Sequence, residues 1–431
     1  MYEGDALALA KDGMPGFNPE LFAAMADMIY KKGGFDINQL KSKEARSVMA
    51  ETARIINSGV SSSLPEDCPD ALRYALENNA FIFSGFKTFH SMREIGLSMV
   101  TDRGTVKQYE DFKKDVQRIN AHYNTNYLHA EYYHAVGSAQ MAARWNEYAK
   151  DGDRYDLQYR TAGDSRVREE HRLLDGITLP VDDPFWDKYF PPNGWGCRCE
   201  AVQVRKGKYT LSDSADSMRK GDNITAGVKQ QMFRFNPGKT MKLFPPKHPY
   251  YKVPNEVKKV LNERSASYER NYKKYLELLH DNDYTDVTFD AATGGLKATH
   301  RRHNFDRNKG WYERSIQNVG YKNGHSVVLG EEPQDIYKQR SCEGHWDNRL
   351  FEVAGAETAS PNNIRNALKH CASKPDTAIA ILFFPNNNFS VENFLAGYAK
   401  YEGLKKTSQY KEFELIYCIQ GEEIVQIKKP S

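Results

Sequence analysis

The chain has 431 residues, of which 40% are hydrophobic and 27% charged, with a formal net charge of +3. That composition is ordinary for folded soluble protein, and the length asks for roughly two or three domains. No apolar run approaches the ~20 residues needed to span a bilayer, so membrane insertion is not expected. The opening MYEGDALALAKDGMPG lacks the basic and long apolar regions of a secretory signal. Six cysteines without framework spacing suggest reduced thiols in a cytosolic setting.

The amino-terminal region reads as mostly helical. Amphipathic windows fall at Pro19–Lys32, Asn38–Asn57 and Thr105–Lys150, broken by Gly33-Gly34 and by SSSLPEDCPD at Ser61–Asp70. Tyr127, Tyr132, Tyr133, Trp145 and Tyr148 are expected to be packing residues, and His122, His129 and His134 helix-surface or satisfied core groups.

Tyr159–Cys199 is the most heavily specified stretch: YRTAGDSRVREEHRLLDGITLPVDDPFWDKYFPPNGWGCRC. DSRVREEHRLLDG predicts a short helix capped by Asp164 and closed by Gly176. Asp164, Arg168, His171 and Asp175 are spaced to share one face. Pro191 to Gly194 is turn chemistry, and CRCEAVQV predicts a strand with Cys197 and Cys199 pointing the same way. Asp164, His171, Cys197 and Cys199 together have the ingredients of a four-ligand Zn2+ site, although the spacing is not that of a standard finger or ribbon. The alternative is that the cysteines are small buried residues, Asp164 is a cap and His171 pairs with Asp175.

The run D-S-R-V-R-E-E-H…L-D-G…D-D-P-F-W…P-P-N-G-W-G-C-R-C resembles the signature of the phage Mu F-like minor head proteins, the phage head morphogenesis domain. Tyr123–Tyr148 resembles the helix that precedes it. The resemblance covers roughly the first half of the chain. It implies a low-copy virion component that partners the portal protein and capsid, needed for head assembly or genome delivery.

Arg205–Tyr275 carries 17 Lys/Arg against 6 Asp/Glu. It reads as a basic connector with turn-rich pieces such as FRFNPGKTMKLFPPKHPYYKVP, then a helix from about Asn255 to His280 striped by Tyr268, Tyr272, Tyr275 and Leu279. Basic charge among aromatics suits a nucleic-acid backbone; a solvated linker explains it equally.

The last third alternates in character. Strands are expected at Asp286–Asp290, Ser326–Leu329, Arg349–Val353, Ala378–Phe384, Glu412–Ile419 and Glu423–Lys428, and helices at Asn308–Tyr321, Pro361–Ala372 and Val391–Tyr401. AIAILFF is apolar throughout, as a strand buried on both faces should be. This predicts a self-sufficient α/β domain beginning near Asp283.

Within that domain, GGLKATHRRH, the GWYE helix, GHSVVLGEE, a carboxylate nine residues ahead of Glu352, and IRNALKHC resemble the C-terminal tRNA nuclease domain of contact-dependent growth inhibition toxins, a relative of the PD-(D/E)xK nucleases. The resemblance implies that Glu313 is the helix-borne acid, Glu343 stands where an Asp is usual, and Glu352 is the strand carboxylate. Such a cluster binds Mg2+ or another divalent cation for phosphodiester cleavage. It also implies a tRNA or RNA substrate and an immunity protein. Ala354 occupies the position of the family's lysine, leaving Lys338 or His345 as replacements and Asp347 as a spare ligand. Two other readings stand beside this one: metal-free acid–base catalysis by His300 and His303, or an inactive domain that only binds nucleic acid or a partner.

The combined expectation is a multidomain chain with three parts: a mostly α head-morphogenesis domain with a small β/Cys-x-Cys element (residues 1–204), a basic linker and helix (205–282), and an α/β domain resembling a PD-(D/E)xK nuclease core (283–431). Its place would be the virion and the bacterial host cytoplasm. A purely structural head-completion protein is the alternative.

Overall fold

The computed structural model describes residues 13–305, 308, 310–331, 342–374 and 376–428. They divide into two compact units, Met1–Ser265 and Ala266–Ser431.

The first unit begins with five helices: α1 (Pro19–Lys31), α2 (Lys43–Ser63), α3 (Asp70–Ser98), α4 (Tyr109–Ala121) and α5 (Leu128–Tyr148). Local chemistry sets the starts of α1 and α2. Asn18 accepts from the Glu20 backbone N–H ahead of a first-turn proline, and Ser42 accepts from that of Ala45. The expected Asn38–Asn57 helix is therefore two elements, a 3-10 turn (Ile37–Lys41) and then α2. One π-helical turn, His122–Tyr127, joins α4 to α5.

Helix α2 packs against both α3 and α5. A methyl group on Gly59 would lie 2.6 Å from the Tyr132 ring and 2.7 Å from Val136. Gly59→Ala should therefore destabilise the unit by about 1–3 kcal/mol, read as a lower urea midpoint at unchanged slope.

A small β layer follows: β1 (Tyr155–Arg160), α6 (Glu169–Arg172), β2 (Thr178–Pro180), α7 (Phe185–Tyr189) and β3 (Glu200–Arg205), with both β2 and β3 antiparallel to β1. Leu157, Tyr159, Leu179, Phe185, Trp186 and Phe190 form its core. The predicted 13-residue helix over DSRVREEHRLLDG shortens to the single turn α6, while Gly176 does take a left-handed φ of 79°.

The basic stretch is not a solvated connector. It forms α8 (Ser214–Ile224), α9 (Pro237–Thr240) and the start of α10 (Asn255–Leu279). Phe244 stacks on Phe83 with ring centroids 3.6 Å apart, and Asn79 Oδ1 accepts from the backbone N–H groups of Leu243 and Phe244. Lysines of this stretch project around aromatic anchors that belong to the helical core.

Within the second unit, α10 buries Tyr268 and Tyr272 against Phe289, with Tyr275 beside them; Leu279 is exposed and Leu278 is the buried neighbour. The elements then run β4 (Tyr284–Asp290), β5 (Gly295–His300), α11 (Gly310–Lys322), β6 (Ser326–Leu329), β7 (Gly344–Trp346), β8 (Arg349–Gly355), α12 (Pro361–Ala372), β9 (Ile379–Phe384), α13 (Val391–Glu402), β10 (Leu415–Gln420) and β11 (Glu423–Lys428). They build one mixed sheet in the order β11-β10-β9-β8-β7-β6-β5-β4.

Alternate residues of β9 face opposite cores. Ile379, Ile381 and Phe383 pack with Tyr312 and Ile316 of α11, whereas Ala380, Leu382 and Phe384 pack with α12 and α13. Phe351 and Val353 of β8 lie on the α11 side and Ala354 on the α12 side.

Candidate functional site

The fold gathers two groups of metal-ligating side chains among the described residues: His171, Cys197 and Cys199, and His303, Glu313 and Glu343. In each, one ligand atom per residue lies within 4.8 Å of the others.

In the first group, α6 carries His171, and the turn entering β3 supplies both cysteines. His171 Nδ1 stands 3.7 Å from Cys197 Sγ and 3.5 Å from Cys199 Sγ. All three residues are buried, at 5%, 9% and 3% exposure. Cys199 donates toward Cys197, which stabilises a Cys197 thiolate and holds that thiol well below its usual range, with His171 adding to the effect; the same contact pushes Cys199 up. The phenol of Tyr159, bonded to Asn193 Oδ1 at 2.9 Å, also faces Cys199. Nothing in the sequence spacing pointed to Tyr159.

Asp164 is not part of this group. Arg198 donates to both of its carboxylate oxygens, each at 2.6 Å, and Asp164 accepts from the Arg166 backbone at 3.0 Å. The Arg198 guanidinium holds the Asp164 carboxyl well below the usual carboxylate range. Asp175 is occupied by Thr161, through backbone N–H at 2.7 Å and hydroxyl at 3.0 Å, so it does not orient His171. The expected four-ligand set is thus three residues, because a bidentate arginine claims the carboxylate.

The depressed Asp164 carboxyl gives a signed expectation. Its stabilisation is full above the unfolded value near pH 4 and is lost as pH falls through the lower folded value. The melting-temperature gap between the wild type and Asp164→Asn should be steady from about pH 5 to 8 and shrink below about pH 3, as thermal melts across that range would show.

In the second group, Glu313 lies in the first turn of α11, and Glu343 immediately precedes β7. His303 Nδ1 donates to the Gly330 carbonyl at 2.8 Å, while Nε2 faces Glu313 Oε2 at 3.1 Å. The His303 side chain is wholly buried.

Glu352 does not join this group. As an alternate residue on β8 it shares the α12 face with Ala354, where His370 Nε2 lies 3.1 Å from Oε1 and Lys374 Nζ 3.9 Å from Oε2. An open cleft lined by Asn366, Lys369, His370, Ser373 and Lys374 adjoins it. His300 is also separate: its Nδ1 accepts from the Arg302 backbone at 3.2 Å, and its ring packs edge-on to Tyr284. Asp347 sits in the β7–β8 turn, bonded to His325 Nδ1 at 2.7 Å and to the Ser326 N–H at 3.0 Å. His345 is an exposed residue of β7, and Lys338 lies outside the described residues.

Among the described residues no helix is long and apolar enough to cross a membrane. Residues 102–202 match the family model of the Phage Mu protein F like proteins. The chain is 37% identical over 89 residues to the Mu-like prophage FluMu F protein of Haemophilus influenzae, covering 19% of this chain and 22% of that protein. It is 40% identical over 63 residues to the putative capsid assembly protein F of Escherichia phage Mu, covering 14% of each. The similarity thus spans less than a quarter of either relative. No solved structure matches the chain. The matched segment runs from the approach to α4 into β3, lies within the first unit and contains His171, Cys197 and Cys199.

Proposed function

We propose that the chain is a phage or prophage head assembly protein. Its first unit engages capsid and portal components, and its second unit hydrolyses phosphodiesters with a divalent cation. The match of residues 102–202 to the Mu F family carries the assembly reading, since one relative of that segment is named a capsid assembly protein. The aromatic anchors that fix the basic stretch to the helical core leave its lysines on a surface suited to an acidic partner, whether nucleic acid or capsid. Co-sedimentation of the purified chain with procapsids that contain portal supports this reading; failure to bind procapsids at low and physiological salt opposes it.

The hydrolytic reading rests on His303, Glu313 and Glu343. One imidazole and two carboxylates would hold a divalent ion, and the imidazole suits Mn2+ at least as well as Mg2+. A bound ion would supply hydroxide and offset charge on the scissile phosphate. The Gly330 carbonyl fixes the His303 tautomer so that Nε2 is presented toward the acids. Burial of both His300 and His303 argues against the metal-free pair, which would need nitrogens reachable by RNA. On this reading the substrate is tRNA or another RNA, an immunity protein would protect the producing cell, and the protein would act in the host cytoplasm after delivery from the virion. Incubation of the full chain with total tRNA, with and without Mn2+ or Mg2+, tests it. Cation-dependent cleavage supports the hydrolase. Absence of cleavage of tRNA, RNA and DNA leaves a structural head-completion protein.

A further inference from the structure

The geometry points to a zinc ion held by His171 Nδ1, Cys197 Sγ and Cys199 Sγ inside the segment that matches the Mu F family, with a water molecule as fourth ligand.

Two observations carry this. With zinc–sulfur bonds of about 2.3 Å and zinc–nitrogen bonds of about 2.0–2.1 Å at tetrahedral angles, a sulfur and a nitrogen on one ion stand about 3.6 Å apart. The two sulfur–nitrogen separations here are 3.7 and 3.5 Å. A single imidazole nitrogen has one lone pair or one proton and so serves one sulfur, which leaves the second sulfur tied to Cys197 and not to the imidazole. A cation equidistant from all three atoms serves both. The ligands are soft or borderline, which selects zinc over magnesium or calcium.

The fourth position has room as well. A cavity of about 60 Å³, lined by Arg166, Val167, Arg168, Gly196, Arg198 and the three ligands, adjoins the group, and two thiolates would offset the charge of a divalent ion beside those arginines. That volume exceeds the roughly 10–15 Å³ that one water needs. Asp164 cannot fill the position, since Arg198 occupies both of its oxygens.

The ion has an evident structural task. Between Arg160 and Glu200 the chain forms only α6, β2 and α7, of four, three and five residues. A bond from α6 to the Cys197–Cys199 turn would fasten the early part of that irregular excursion to its end.

The test uses the full chain, purified under reducing conditions without added chelator. Elemental analysis should find close to one zinc per chain. Cys197→Ser and Cys199→Ser should each lose it, whereas Asp164→Asn and Glu313→Gln should keep it. Replacing zinc by cobalt(II) should give thiolate-to-metal charge-transfer absorption in the wild type, which reports sulfur ligation without relying on any variant that folds poorly. A chelator should lower the melting temperature and added zinc restore it. Metal-free wild-type protein, zinc retained by the Cys197→Ser/Cys199→Ser double variant, or a mass two hydrogens light from a Cys197–Cys199 disulfide would each overturn the assignment.

Discussion

Lys87→Met should lower the stability of the first unit by about 3–5 kcal/mol, and Glu131→Gln should do nearly as much harm. The two side chains pair in the helical core, between α3 and α5, at 2% and 3% exposure. Burial pushes the Lys87 ammonium pKa down and the Glu131 carboxyl up, and their mutual attraction opposes both shifts. Tyr250 hydrogen-bonds Glu131, and burial with that contact holds its phenol up. Either single substitution strands an uncompensated polar group, whereas Lys87→Met with Glu131→Leu removes both and should recover much of the loss. Urea unfolding of Lys87→Met, Glu131→Leu and the two combined would measure the coupling. A double-variant loss equal to the sum of the two single losses would mean that the two side chains are not coupled.

On the proposed hydrolytic reading, Glu313→Gln should reduce cation-dependent cleavage by on the order of 10²-fold or more, since it would remove a negative ligand worth several kcal/mol of charge stabilisation. His303→Ala should act in the same direction, because it removes the third member of the group. Glu352→Gln is the informative contrast. Its carboxylate belongs to His370 and Lys374 on the α12 face, so its loss should leave the cation requirement unchanged. Steady-state cleavage titrated with Mn2+ separates these outcomes, and equal effects of Glu313→Gln and Glu352→Gln would place both carboxylates in one site.

Much of the second unit was readable from sequence because its elements announce themselves. Ser360 caps Pro361–Ala372, Ser390 caps α13, and the unbroken apolar run of β9 marks a strand covered on both sides. Strand β5 escaped because GGLKATH opens on two glycines and lacks alternation, yet Gly294 takes a φ of 78° so that the chain can reverse into it. Helix α3 escaped for the opposite reason. Its middle, from Ala80 to Met92, is buried nearly all round, including Ser84, Lys87, Thr88 and Ser91, so that stretch shows no polar face to give a period. The lysine amid FIFSGFKTFHSM was the available signal, since a charge inside an apolar helix calls for a buried partner.

The candidate groups were legible as ingredients and not as arrangements. His171 with two cysteines and Glu313 with Glu343 come together in space. What spacing could not say is which way β8 turns its alternate residues, and that put Glu352 on the other face. Nor could it foresee Arg198 claiming Asp164, because both residues can serve a surface ion pair or a metal site equally well. His303 was read as a proton-transfer group; its position beside Glu313 depends on the close pairing of Gly330 with the loop after β5.

The proposed role in phage head assembly rests on residues 102–202, which match the Phage Mu protein F like family. Quantitative mass spectrometry of purified particles from the phage or prophage that encodes it tests that most directly. A few copies per virion are expected, co-fractionating with portal in tail-less heads. Particles that lack the protein yet assemble in normal number and infect normally would contradict it.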